Sequence, residues 1–258
     1  MVGMIEIAFI WILHLVGFTI AYRKQTDAIT DFSYALGFVG SIWISYYLAP
    51  FDVLNLIVAV AVTLWASRLG VYLAFRVKLV GKDARFDQMR SSLLGFGSFW
   101  FFQATTISIM ILPFKLAFSV TKTISPYWVL CWGLVFLLGF LLEAVADWQK
   151  FKFKLGHPNA FCCVGLWKIC RHPNYLGEII CWWSLALLIS VKCAGWGHLI
   201  WISPIWITLL LLKISGIPPL EMAWEEKYGK DADFQIYLQK TSRLSPLKGM
   251  INYFRSVT

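Results

Sequence analysis

The stretch KICRHPNYLGE, Lys168–Glu178, sets Arg171, His172, Asn174, Tyr175 and Glu178 within eight residues, directly before an apolar run beginning at Ile179. Pro173 suits the first turn of a helix, where its missing N–H would find no partner in any case. A helix starting there offers free N–H groups and a partial positive charge beside Arg171 and His172, which is the chemistry of an anion site. Asn174 and Glu178 fall four residues apart on one face, with Tyr175 next to them. A carboxylate at 178 does not suit a phosphate. It accepts hydrogen bonds from a group carrying N–H or O–H, such as a carboxamide or a ribose. The plainer alternative is an interfacial anchor in which Arg171 and Glu178 pair with each other.

Three further segments carry polar residues at helical spacing. LLEAVADWQKFKFK places Glu143, Asp147, Lys150 and Lys154 along one helix, a set able to hold a ribose and a phosphate. It reads equally as a capping acid with snorkelling lysines. Asp31 and Tyr34 lie one turn apart in AITDFSYALGF, and LWASRLGVYLAFR carries Trp65, Arg68 and Tyr72. An ionisable group within a membrane span costs roughly 2.5–3.5 kcal/mol on insertion scales, so such groups face a cavity or one another. Asp31 also reads as a helix N-cap, and Arg68 as the structural partner of an acid. His14 and Glu6 in the first apolar run receive no assignment. In the tail, EEKYGKDADFQIYLQKTSRLSPL has a helical pattern from Asp231 to Lys240, fitting a flap over a cofactor or an amphipathic surface helix.

The elements that must position these residues are apolar. Of 258 residues 59% are hydrophobic and only 14% charged, which marks a polytopic membrane protein and not a soluble domain. Spans are expected at about Met4–Tyr22, Phe32–Leu48, Val53–Phe75, Leu93–Leu112, Tyr127–Ala146, Pro173–Val191 and Ala194–Ile214. The first is long enough to span and has no basic region before it, unlike a cleaved signal. The net charge of +9 is explained by topology, without nucleic acid. Arg23, Lys24, Arg76, Lys78, Lys82, Arg85, Arg90, Lys150, Lys152, Lys154, Lys168, Arg171 and the basic residues from Lys213 onward share one side, while Lys115, Lys122 and Lys192 fall opposite. The positive-inside rule makes the rich side cytosolic, with the N-terminus outside and the C-terminus in the cytosol. The long polar loops fall on that side too, which puts the functional surface there. The six cysteines show neither C-x-x-C nor zinc-like spacing and read as structural, so no metal is expected.

With RHPNYLGE before a helix, then a final span and KYG…YLQKTSRLSPL, the chain resembles the steroid 5α-reductase superfamily, in its bacterial-type branch. TDFSYALGF, LWASRLGVYLAFR and KDARFDQMR extend the resemblance over nearly the whole chain, most strongly from Asp147 to Pro246. It implies an all-α bundle of seven transmembrane helices, one membrane-embedded domain over residues 1–258. Residues 1–92 would form the substrate side and 93–258 the NADPH-binding side. The implied cofactor contacts are Asp147, Lys150, Lys154, Arg171, His172, Asn174, Tyr175, Glu178, Lys213, Glu221 and Tyr228. Glu221 and Ile217 stand where the animal enzymes have Tyr and His. In those enzymes a Glu and a Tyr polarise the substrate ketone. A gapless comparison puts Asp31 at the acid and Trp65 at the phenol, with Tyr34 the substitute donor on the Asp31 face. Asp31 and Tyr34 are thus the expected catalytic pair, with Trp65, Arg68 and Tyr72 at the substrate.

The implied reaction is hydride transfer from NADPH to the C=C bond of an enone lipid, in the manner of a 3-oxo-Δ4-steroid. A protonated Asp31 and Tyr34 would stabilise the negative charge that develops on the ketone oxygen. Expected partners are that hydrophobic small molecule and the bilayer of a bacterial inner membrane or endoplasmic reticulum, with no nucleic acid and no obligate protein partner. Isoprenylcysteine and phospholipid methyltransferases carry a similar R-H-P-x-Y-x-G motif, so an S-adenosylmethionine-dependent methyltransferase is the alternative. A non-catalytic lipid-binding protein is a third reading.

Overall fold

The computed structural model describes residues 3–80 and 87–247. Lys82 and Arg85, assigned above to a cytosolic loop, lie outside the described residues. Among the described residues ten α-helices follow in order: α1 Met4–Lys24, α2 Thr30–Tyr47, α3 Val53–Val80, α4 Asp87–Ser91, α5 Leu93–Phe118, α6 Pro126–Gly156, α7 Pro173–Ser190, α8 Ile202–Leu209, α9 Ile217–Tyr228 and α10 Ala232–Lys240. Among the described residues the β contact is an isolated parallel bridge between Cys170 and Ser242. Five helical stretches are long and apolar enough to cross a bilayer: Met4–Lys24, Val53–Tyr72, Leu93–Phe118, Pro126–Gly156 and Gly195–Tyr228. The other two expected spans coincide with α2 and α7, each 18 residues long.

Local chemistry sets the helix ends. Gln25 closes α1 in the left-handed conformation, its N–H returning to the carbonyls of Ala21 and Tyr22. The Ser92 hydroxyl caps α5 by accepting from Gly95 N–H at 3.0 Å, and Asp231 caps α10 through Asp233 and Phe234. The last expected span is not one α-helix. It runs as a 3-10 stretch Gly195–Trp201, then α8, then a π-helical turn Leu210–Ile214.

Contacts divide the chain into two compact units: Met1–Val129 with Leu185–Trp206, and Leu130–Ser184 with Ile207–Thr258. In the first, α1, α2, α3 and α5 pack against one another over a core that includes Phe38, Ile42, Val58, Trp65 and Ile107. The sequence reading groups α5 with the cofactor-binding part, whereas by contacts it belongs with α1 and α2. The three lysines expected opposite the cation-rich side, Lys115, Lys122 and Lys192, are all tied off within this unit. Lys115 lies 3.5 Å from Glu6, which also accepts from Ser45 at 3.1 Å. Lys122 donates to the Val191 carbonyl at 2.9 Å. Lys192, fully buried, donates to Asp52 at 2.9 Å and Asn55 at 2.8 Å. Asp27 and Arg90 form another buried pair.

In the second unit α6 turns two unlike faces outward and inward. Leu130, Leu134, Leu137, Leu138, Leu141 and Val145 are exposed, while Gly139, Glu143, Ala146 and Asp147 are buried. A helix with apolar groups outside and acids inside suits lipid surroundings. Gly139 and Gly177 bring α6 and α7 into backbone contact: a Cβ at Gly177 would sit 2.6 Å from both Glu143 N and Gly139 O. That approach seats the first turns of α7 against the acid-bearing stretch of α6.

Candidate functional site

Within the second unit the expected cofactor residues gather around α6, the start of α7, α9 and α10. Lys150 and Lys154 rise from α6. The Lys150 ammonium sits over the rings of Trp167, at 4.6 Å, and Trp224, at 5.3 Å. Lys154 donates to Ala160 O at 2.7 Å, Pro158 O at 3.3 Å and the Tyr228 hydroxyl at 3.1 Å. The hollow bounded by these lysines, Trp224, Tyr228, Phe234 and Tyr237 measures about 10 Å³. That is space for one water, so the aromatic side chains close over the lysines.

The residues of the opening motif fold into a clasp. Glu221 of α9 accepts from Arg171 Nε at 3.0 Å, His172 Nε2 at 3.2 Å and Arg243 Nε at 2.8 Å. The Arg171 guanidinium also donates to the carbonyls of Leu238 and Thr241, and the backbone N–H groups of Arg171 and His172 donate to Ser242 and Arg243. The tail is thereby stitched to the segment before α7. His172 is stacked between Tyr175, at 5.6 Å, and Trp224, at 5.1 Å. Burial pushes its imidazole below the ordinary value, and the Glu221 hydrogen bond only partly opposes this. Glu221 can only accept, so His172 Nε2 carries the proton and Nδ1 is a bare acceptor; Nδ1 is buried and has no partner. The Asn174 carbonyl oxygen, two residues on, is likewise buried and unpartnered.

These positions answer the expectations unevenly. Lys150, Lys154, Arg171, His172, Glu221 and Tyr228 come together through direct contacts. Asp147 is buried on the inner face of α6, while Asn174, Tyr175 and Glu178 occupy the first turns of α7. Lys213 is exposed on the π-helical turn. Arg171 pairs with Glu221, 50 residues away, where the plainer sequence alternative paired it with Glu178. Trp167, Trp224, Tyr237 and Arg243 complete the assembly and were not anticipated. Trp167 donates to Ala146 O at 2.9 Å and Tyr237 to Trp167 O at 2.8 Å, contacts across 21 and 70 residues.

The expected catalytic residues lie in the first unit. Asp31 is the second residue of α2, past the Ile29 cap, and therefore does not hold the capping position. Tyr34 meets Phe38 edge-on at 5.0 Å, and Phe38 meets Trp65 in the same way at 5.1 Å. Tyr34 and Trp65 are thus joined through one shared ring. Arg68 and Tyr72 follow Trp65 at one-turn intervals along α3.

One unit thus carries acid, phenol and indole on α2 and α3, and the other clustered cations with the buried acceptors of His172 and Asn174. No curated protein and no solved structure is significantly similar to the chain. Residues 17–241 match the family described as "Protein of unknown function (DUF1295)", and to that family the chain belongs.

Proposed function

We propose that the protein is an NADPH-dependent reductase of the steroid 5α-reductase superfamily. In this reading it crosses the membrane seven times, with its active site facing the cytosol, and reduces the C=C bond of an enone lipid such as a 3-oxo-Δ4-steroid. The observation that carries this reading is the buried, unpartnered Asn174 carbonyl at the start of α7. An unsatisfied buried acceptor costs about 1–3 kcal/mol, and a ligand N–H or O–H relieves it. The carboxamide or ribose of a nicotinamide nucleotide supplies such donors, and His172 Nδ1 is a second acceptor beside it.

The donor set therefore fits the dinucleotide. Asn174 and Glu178 would hold its carboxamide and ribose, and Lys150 and Lys154 its phosphates, once their aromatic cover shifts. When bound, the cofactor supplies a hydride. The protein orients it, excludes water and holds charge. In the first unit Asp31, in its protonated form, and Tyr34 would donate hydrogen bonds to a carbonyl oxygen, favouring the negative charge that grows there during reduction. Trp65, Arg68 and Tyr72 would contact the substrate from α3.

Titrating the detergent-purified protein with NADPH and with S-adenosylmethionine, read by tryptophan fluorescence, tests the cofactor. NADPH should quench saturably, and Asn174→Ala should weaken it about tenfold, one hydrogen bond of about 1.4 kcal/mol. Saturable quenching by S-adenosylmethionine alone would replace the reductase with a methyltransferase. NADPH oxidation against a panel of enone lipids then identifies the acceptor.

A further inference from the structure

One helix covers both Lys150 and Lys154. Glu221, Trp224 and Tyr228 form a single stripe of α9, and beyond its first turn Met222, Ala223, Glu225, Glu226 and Lys227 are exposed. That part of α9 is therefore attached along one face. Trp224 lies against the Lys150 ammonium and the His172 ring, and the Tyr228 hydroxyl accepts from Lys154 at 3.1 Å. Glu221 latches the helix down by accepting from Arg171 at 3.0 Å and His172 at 3.2 Å. The hollow beneath, about 10 Å³ and bordered also by the buried Cys162, has no room for a phosphate.

Both ends of α9 are built as pivots. At Gly216, just before it, a Cβ would lie 2.4 Å from the Leu211 carbonyl oxygen and 2.7 Å from Leu211 Cα, so the closed position requires glycine. The N–H groups of Ser215 and Gly216 share the Leu210 carbonyl, at 2.9 and 3.3 Å, so the preceding π turn ends on one acceptor. Pro218 and Pro219 then fix φ in the first turn and stiffen α9 from its start. Gly229 closes the far end. Beyond it α10 is fastened separately, the Tyr237 hydroxyl donating to Trp167 O at 2.8 Å. A stiff helix held by one face between two glycines moves as a rigid arm. We infer that α9 is a lid that competes with the ligand: closed, it seats its own rings on the two cations, and it must swing out about Gly216 before an anion reaches either. This rests on the cofactor reading for the identity of the anion alone, because opening is measurable without it.

Cys162, 8% exposed beneath the lid, reports opening in the full-length protein in detergent. Its alkylation by iodoacetamide, resolved from that of Cys163 by fragment-ion mass spectrometry, tracks the open population while reclosing outpaces the reagent. Glu221→Gln weakens the latch and should raise the rate roughly 30-fold. Gly216→Ala keeps the latch but denies the closed position, and should raise it about tenfold or more. Cys181, buried in α7 away from the lid, should stay slow in both variants, which separates lid opening from unfolding. In stopped flow the rate of tryptophan quenching by NADPH should level off with concentration at the opening rate, and Gly216→Ala should raise that plateau. A Cys162 rate unchanged in either variant, or matched by Cys181 in both, would overturn the proposal. A quenching rate linear in NADPH would show the lysines already open and overturn the gating. Absence of quenching would instead sink the cofactor reading, with the lid still decided by Cys162.

Discussion

Replacing Glu221 with Gln would remove the single charge on which Arg171, His172 and Arg243 converge, while preserving an acceptor oxygen. A hydrogen bond to a charged group contributes about 1.5–3 kcal/mol. The Arg243 side chain is 64% exposed, and water screens its share to little. Arg171 and His172 are 12% and 1% exposed, so their two bonds dominate. The loss in holding α9, and the tail that follows it, against the segment before α7 is about 2 kcal/mol, a roughly 30-fold rise in the population with this clasp undocked. Limited trypsin digestion at Lys240, the exposed last residue of α10, reads that population when reclosing outpaces cleavage. Cleavage of Glu221→Gln within twofold of the unmodified rate would refute the clasp.

The same assay has a pH arm. His172 is held neutral by burial, its value below the ordinary 6.5. The undocked state, where the imidazole meets water, therefore takes up a proton first as the medium acidifies. Docking is at full strength above pH 6.5 and weakens as pH falls beneath it. Cleavage at Lys240, normalised to a reference peptide, should be flat from pH 8 to 7 and rise from 6.5 toward 5. A flat profile through that range would mean the imidazole is not sealed by the tail.

Four other substitutions probe the scaffold and the proposed chemistry. Gly177→Ala places a methyl 2.6 Å from backbone atoms of α6, which cannot rotate away. It should cost about 3 kcal/mol, the upper end for overpacking, and lower the thermal midpoint in detergent; an unchanged midpoint would deny the helix contact. Lys192→Met leaves the Asp52 carboxylate without its buried ammonium and should destabilise by about 3–5 kcal/mol, measured the same way. Asp31→Asn and Tyr34→Phe should each slow NADPH oxidation without weakening NADPH quenching. If both leave turnover intact, the carbonyl-polarising pair lies elsewhere.

The helices were legible because hydropathy is local. Each apolar run is matched by helix, with starts at Met4, Val53, Leu93 and Pro173 falling where expected. Where the reading fell short, the missing information was distant in sequence. The sixth helix outruns its apolar stretch and continues to Gly156, because Gln149 accepts from Leu166 N–H at 2.9 Å and Lys154 ties back to Ala160. Within Ala194–Ile214 the glycines Gly195 and Gly197 mark the 3-10 stretch, whereas the π turn Leu210–Ile214 begins inside an unbroken leucine run.

The state of each charge was the hardest thing to foresee, and it decides what the site can do. From spacing alone Arg171, Lys154 and Lys150 are equivalent ligands for a phosphate. In the fold each has an occupation: Glu221 and two tail carbonyls for Arg171, two loop carbonyls and a phenol for Lys154, two indole faces for Lys150. These partners are aromatic rings, a carboxylate and loop and tail carbonyls, so an incoming dianion must displace existing contacts and the tail responds to its arrival. Asn174 differs in kind, since its buried carbonyl oxygen has no protein contact to give up. Recognition at the head of α7 should therefore be stricter than at the lysines. Shortening the phosphate end of a bound nucleotide should cost less affinity than removing the hydrogen-bond donors it presents to Asn174.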